Sequence, residues 1–219
     1  VLVERSIHPH YLSNAYLVAD EEGGVALYVD SGAPLEPLLA AAKRWQVEPQ
    51  LVLRTHSHAD HVEHEAELGL PVETGAAAIG GLSVEALPTP GHSDDMVAFV
   101  VNGEAVFTGD TLFKDSVGGG DFAQVRSSVM DVLMNLPPEL RVLPGHTDET
   151  TIGREWDENP FVRVWRGVEP EGTEPVRVGG EEATLIVWSP DYDGGGKAWV
   201  RFSGGRDAIV GGSRVERST

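Results

Sequence analysis

A layered α/β fold, helices packed on sheet, is predicted by three features of this sequence. Strand-like and helix-like segments alternate early: the apolar run 25–29, then helical spacing of Leu35, Leu38, Leu39, Ala42 and Trp45, then the apolar run 51–53. Hairpin signals flank this alternation, with residues 20–24 and Asn102-Gly103 each lying between two apolar runs. Four of the strands end in short turns that carry histidine or aspartate.

Taken in order, residues 2–30 read as strand, turn and strand, with 14–19 and 25–29 as hairpin partners and Asp30-Ser31-Gly32 closing the second. An amphipathic helix over 35–45 and a strand at 51–53 follow. Residues 62–68 read as one short helix and 71–74 as a short strand; His64, on that helix, is taken as a surface or supporting residue. The strand 84–87 runs into Pro88-Thr89-Pro90-Gly91-His92, and 96–101 and 105–108 form a hairpin. A helix over 125–136 stops at Pro137-Pro138, and 141–143 is a strand. Residues 150–164 start as a capped helix that Asn159-Pro160 interrupts. The stretch 169–180, rich in Pro, Gly and Glu, reads as a linker. Beyond it, 183–188, 198–202 and 208–210 are short apolar runs between Gly/Asp turns, a small all-β appendage with Trp188 and Trp199 as its core. The expected division is therefore 1–167 and 168–219.

The chemistry concentrates in Thr55-His56-Ser57-His58-Ala59-Asp60-His61, directly after the strand 51–53. Imidazole and carboxylate are the usual protein ligands of zinc and related divalent ions, and both bind deprotonated. Residues two apart on an extended backbone face one way, so His56 and His58 can share one ion while Asp60 and His61 serve another. The pattern recurs at three later strand ends as Pro-Gly-His92, Thr-Gly-Asp110 and Pro-Gly-His146. Any one Pro-Gly-His is first of all a turn, but strand ends on one edge of a layered fold converge. His8, His10 and Tyr11 are read as surface residues near the mouth of such a site.

These residues resemble the metallo-β-lactamase-fold hydrolases, whose signature is His-X-His-X-Asp-His followed by His, Asp and His at later strand ends. The resemblance spans residues 3–166. It is nearest to the glyoxalase II-like branch through Thr55-His56, the run Gly109-Asp110-Thr111-Leu112-Phe113, Leu143-Pro144-Gly145-His146 and Asn159-Pro160-Phe161. It implies an αββα sandwich. It also implies a site in which His56, His58 and His92 hold one metal, Asp60, His61 and His146 a second, and Asp110 bridges them. Two divalent ions are implied, zinc first, with iron or manganese as alternatives. The activity implied is that of a hydroxyacylglutathione hydrolase-like enzyme, cleaving a small thioester, ester or lactone with a water held between the ions. Asp60 would orient that water or take its proton. A mononuclear iron persulfide dioxygenase and a non-catalytic binding protein on the same fold are the alternatives. The resemblance stops at glutathione: Lys114 is the only basic residue in the run 114–120, and the C-terminus is β-rich where that branch has a helical region.

Composition narrows the partners. Across 219 residues the formal net charge is -19, which opposes binding to nucleic acid and to anionic membranes. The sequence has no cysteine, so it offers no disulfide and no thiolate ligand of the kind used by the commonest metallo-β-lactamases. No leader-like or membrane-spanning run is visible, and a cytoplasmic protein with a small-molecule substrate is the expectation. The appendage is expected to mediate a homodimer or cover part of the site's mouth. A chain stopped near Arg166 is expected to fold without it and still bind metal.

Overall fold

The structure is a computed structural model that describes residues 1–217. The first sheet runs in the order β1 (Leu2–Ile7), β2 (Asn14–Ala19), β3 (Val25–Val29), β4 (Glu48–Leu53) and β5 (Val72–Glu73). Helix α1 (Glu36–Trp45) carries the chain from β3 to the parallel β4. The second sheet contains β6 (Ala77–Ile79), β7 (Leu82–Pro88), β8 (Val97–Val101) and β9 (Ala105–Gly109). A small ribbon, β10 (Leu112–Phe113) and β11 (Ser116–Val117), leads away from it. The chain returns as β12 (Arg141–Pro144), parallel to β9, and ends the sheet with β13 (Thr150–Thr151).

Period-two alternation decides which side chain enters which layer. On β2, Tyr16 and Val18 face Leu82, Phe99, Val101 and Phe107 of the opposite sheet, while Ala15 and Leu17 pack outward with Leu38 and Ala41 of α1. On β8, Phe99 and Val101 face inward, and Ala98 and Val100 join Val125, Val129, Phe161 and Val162 on the other side. Both faces of each sheet are thus apolar, and the chain forms the αββα sandwich with helices outside. The helices on the second sheet are α4 (Phe122–Ser127), α5 (Ile152–Glu158) and α6 (Pro160–Trp165). Asp121, Thr151 and Asn159 cap them, each accepting a backbone N–H in the first turn.

Three local expectations need correction. The helix over 62–68 is two single turns, α2 (Ala59–Val62) and α3 (Glu65–Leu68). The His64 N–H donates to the Ser31 carbonyl and the Ser31 N–H to the His61 carbonyl, a tertiary tie that breaks the helix between the turns. The helix over 125–136 remains α-helical only to Ser127, then widens into a π turn over Ser128–Val132 and tightens into a 3-10 turn over Leu133–Asn135. The presumed linker 169–180 contains a full strand, β14 (Glu174–Val178), whose Val176 and Val178 point inward between exposed charges.

The C-terminal sheet is five-stranded and antiparallel, in the order β17 (Asp207–Gly211), β16 (Lys197–Phe202), β15 (Glu181–Ser189), β14 and β18 (Val215–Arg217). A 3-10 turn, Gly212–Arg214, carries the chain from one edge to the other, bending the sheet into a half-barrel. Val176, Val178, Leu185, Val200 and Phe202 form a core of its own. A register shift between Leu185 and Val187 marks a bulge, beyond which Ile186 and Val187 turn away from that core. Together with Trp199 and Ile209 they complete the apolar cluster beneath α4, α5 and α6. Trp199 therefore packs on the sandwich, its ring 4.9 Å from that of Phe122, and does not fill the appendage. Trp188 is 40% exposed beneath the Arg217 guanidinium and fills neither core. The tail thus shares an apolar core with the sandwich. Among the described residues no helix is long and apolar enough to cross a membrane.

Candidate metal centre

Four strand ends deliver the polar cluster to one edge of the sandwich. The turn after β4 carries His56, His58, Asp60 and His61; those after β7, β9 and β12 carry His92, Asp110 and His146. Because β9 and β12 are parallel, Asp110 and His146 leave the second sheet at the same edge. Glycine is required at Gly145, where a Cβ would run into the Asp110 carboxylate and the His61 ring.

All seven predicted residues meet there, in three groups, of which that of His56, His61 and Asp110 overlaps the other two. His56, His58 and His92 form one, and Asp60, His61 and His146 another, with donor atoms in each group within 4.8 Å of one another. His58 Nδ1 lies 3.1 Å from His56 Nε2 and 3.0 Å from His92 Nε2. Two ligands of a tetrahedral ion with bonds of about 2.0 Å stand about 3.3 Å apart, so these three nitrogens are close to that spacing. Asp110 lies between the groups: its Oδ2 is 3.5 Å from His92 Nε2 and 3.4 Å from His146 Nε2, and its Oδ1 is 3.4 Å from His61 Nε2. Asp60 Oδ2 is 3.6 Å from His61 Nε2 and 3.5 Å from His146 Nε2. His61 Nε2 and Asp110 Oδ1 are buried without a hydrogen-bond partner. Such orphaned atoms are costly unless something else satisfies them, and a divalent ion would satisfy both. The donor set fits a metal.

Buried acceptors set the tautomers of three of the histidines. Asp30 accepts the Thr55 N–H on Oδ1, and both the Thr55 hydroxyl and His61 Nδ1–H on Oδ2, each at 2.8 Å. With its proton given to Asp30, the Thr55 hydroxyl can only accept from His56 Nδ1, 3.0 Å away. His92 Nδ1 donates to the Gly119 carbonyl at 2.9 Å. Each ring therefore keeps its Nδ1 proton and turns Nε2 toward the centre, where a lone pair is free for a metal once any proton there has left. Asp30 itself is buried and takes a left-handed backbone, φ 55, an uncommon conformation for a non-glycine residue and one found at constrained sites.

The charges fit the same picture. Burial, helped by the neighbouring His61, lowers His56 to about 4, leaving it neutral near pH 7. Burial also dominates the lowering of His92. Burial pushes the Asp110 carboxyl up, but His61, His146 and His92 outweigh it and hold the group below the usual carboxylate range. For His61, burial acts downward, and Asp110, Asp30 and Asp60 together overcome it, raising the ring to about 9. Three carboxylates thus favour positive charge at this spot, which a proton or a divalent cation can supply.

His64 stays outside the cluster, its Nδ1 3.3 Å from Glu67 Oε2, and His8 and His10 stay outside it too. The sequence reading missed Asp30 and Thr55 as supports, the Gly119 carbonyl and, above all, Tyr192. From the loop between β15 and β16, the Tyr192 ring lies parallel on His146 at 3.9 Å and 10°. Burial, then the Asp110 charge, raises its phenol above the usual range, so the group stays protonated. A repeated Asx-turn composition, Pro190-Asp191-Tyr192-Asp193-Gly194, is the only local signal for that loop; nothing in it indicates where the ring lands.

The chain belongs to the metallo-beta-lactamase superfamily. The family model described as "Metallo-beta-lactamase superfamily" matches residues 67–146. An uncharacterized protein of Aquifex aeolicus is 32% identical over 193 residues, covering 68% of this chain and 90% of that protein. Hydroxyacylglutathione hydrolase GloC of Haemophilus influenzae is 26% identical over 199 residues, covering 69% of this chain and 93% of its own length. The crystal structure of TTHA1623 in a di-iron-bound form is 34% identical, with a TM-score of 0.60, covering 74% of this chain and 100% of that one.

Proposed function

We propose that this protein is a metal-dependent hydrolase that cleaves a small thioester, ester or lactone. The observation that carries the proposal is the convergence of seven donors in two groups around a buried carboxylate. His56, His58 and His92 would hold one divalent ion, Asp60, His61 and His146 a second, and Asp110 would touch both; zinc is the first candidate. When bound, such ions supply Lewis acidity toward a carbonyl and toward water.

The chain's own residues do the rest. Asp30, Thr55 and the Gly119 carbonyl keep three Nε2 atoms aimed inward, so the centre is preorganised before any substrate arrives. Asp60 keeps a quarter of its side chain exposed beside His61 and His146. Its exposure and its neighbours support the role of orienting an attacking water and accepting its proton. Similarity to the relative named hydroxyacylglutathione hydrolase supports thioesters among the candidate substrates.

Elemental analysis of the protein as purified, with a screen of thioester, ester, lactone and persulfide substrates, tests the reading. About two ions per chain and hydrolysis of one ester class are expected. One iron per chain with sulfite formation from a persulfide would replace it with the dioxygenase reading.

A further inference from the structure

The C-terminal sheet reaches the metal centre at two places. Tyr192 lies flat on His146, and Ile209 of β17 bridges the backbone of Gly120, next to the Gly119 carbonyl that orients His92. Gly119 and Gly120 make the second approach feasible. A Cβ at Gly119 would already touch the Ile209 carbonyl, and one at Gly120 would collide with Gly91. The loop that bears Tyr192 is held at both ends. The Ser189 hydroxyl meets that of Ser116 at 3.0 Å, and Lys197 pairs with Asp191 at 2.9 Å, both largely buried. The Tyr192 N–H also donates to Asp191 Oδ1 at 2.9 Å. Tyr192 is therefore a preorganised surface.

Beside that ring opens a cleft of about 310 Å³, lined by Ile7, Leu12, Lys114, Asp148 and Tyr192 among others. One wall is apolar and exposed: Ile7 is 45% and Leu12 37% accessible. Two large apolar side chains, one at the end of β1 and one in the loop after it, lie exposed on the same cleft beside a polar centre and mark a surface suited to being covered. Leu12 is held there in a left-handed backbone, φ 57. Of the two charges in the cleft, Asp148 is already paired with Arg5 at 3.0 Å. Lys114 has no carboxylate within ion-pairing distance among the described residues, in a chain of net charge -19. An apolar cleft with one unmatched cation selects a ligand that is apolar in its body and anionic at its end.

We propose that the C-terminal sheet is a specificity element, with Tyr192 and Lys114 binding the acyl part of the substrate. The acyl chain lies between the Tyr192 ring and Ile7 and Leu12, and a terminal carboxylate meets Lys114. This rests on the hydrolase reading for the identity of the ligand as an acyl group. Tyr192 and Lys114 are positioning residues; the reacting carbonyl sits beyond them at the centre.

Two kinds of measurement test it. Adipate and hexanoate, six-carbon acids differing in a terminal carboxylate, are titrated calorimetrically into the protein as purified, with metal content measured. Adipate should bind about five- to tenfold more tightly, the range of one partly exposed charge-assisted contact. Lys114→Gln should erase that preference with hexanoate binding unchanged. Tyr192→Leu, which keeps apolar volume against His146, should weaken both acids about tenfold, and Tyr192→Phe should weaken neither. For the corresponding N-acetylcysteamine thioesters, the same variants should raise KM in the same pattern and leave kcat within about threefold. Equal binding of the two acids by the wild type, or wild-type binding and KM in both Lys114→Gln and Tyr192→Leu, overturns the proposal. Binding in the expected pattern by a protein that hydrolyses neither thioester sinks the hydrolase reading and leaves the cleft. Thioester hydrolysis indifferent to both variants sinks the cleft and leaves the hydrolase.

Discussion

Asp30→Asn is nearly isosteric, yet it should disarm two of the proposed ligands at once. In the wild type, Asp30 Oδ2 accepts from both the Thr55 hydroxyl and His61 Nδ1 at 2.8 Å. Asn can keep its oxygen toward the Thr55 N–H, but an NH₂ then stands where Oδ2 was. That NH₂ meets His61 Nδ1–H head-on, so the ring must move its proton to Nε2 or shift. It also donates to the Thr55 oxygen, which turns the hydroxyl proton toward His56 Nδ1 and pushes the His56 proton to Nε2. Both Nε2 lone pairs would then be blocked. Loss of a single orienting partner of a metal-bound histidine typically weakens affinity about 10- to 100-fold, or about 1.4 to 2.8 kcal/mol. With two rings affected, the upper end is expected. Competition against a chromophoric chelator at neutral pH measures it, and ¹⁵N shifts of the imidazoles in the metal-free protein report the tautomers, for His61 at a pH well above its raised value of about 9, where the ring is neutral. Affinity within twofold of wild type, or unchanged Nδ1–H tautomers, would refute the argument that Asp30 sets the two rings.

Other outcomes follow from the same geometry. Asp110→Ala should abolish hydrolysis and weaken both ions, whereas His64→Ala, which loses only a contact to Glu67, should leave metal content and rate nearly unchanged; equal losses in the two would show the ligands misassigned. Gly145→Ala should fold but bind metal poorly, because the added methyl meets Asp110 and His61; normal metal content by elemental analysis would contradict that. Trp199→Ala should cost about 3–5 kcal/mol, lowering Tm by roughly 10 °C, and removal of residues 168–219 should give an insoluble or metal-free chain. A soluble, metal-loaded truncation would show that the shared core is dispensable.

Much of this protein was legible in the sequence because the signals were local. Apolar runs bounded by turn residues located β2, β3, β8 and β9 within a residue, since alternation and turn chemistry act over a few neighbours. The donors were legible for the same reason: glycine-bearing turns after strands place His92, Asp110 and His146, and the strand ends of one edge bring them together. What tertiary structure decided lies wherever a residue's role depends on a partner far along the chain. His64 breaks a helix because Ser31 claims its N–H, and Asp30, legible in sequence only as the close of a strand, orients histidines at positions 56 and 61 through contacts no periodicity encodes. The tail is the largest such case. Its short runs correctly indicated strands, but the bulge beyond Leu185 turns Ile186 and Val187 onto the sandwich, and with them Trp199 completes the core there. Tyr192 reaches His146 only because that sheet docks as it does, and the free energy of docking comes from burial of apolar surface, which is nondirectional and leaves no local pattern in the sequence.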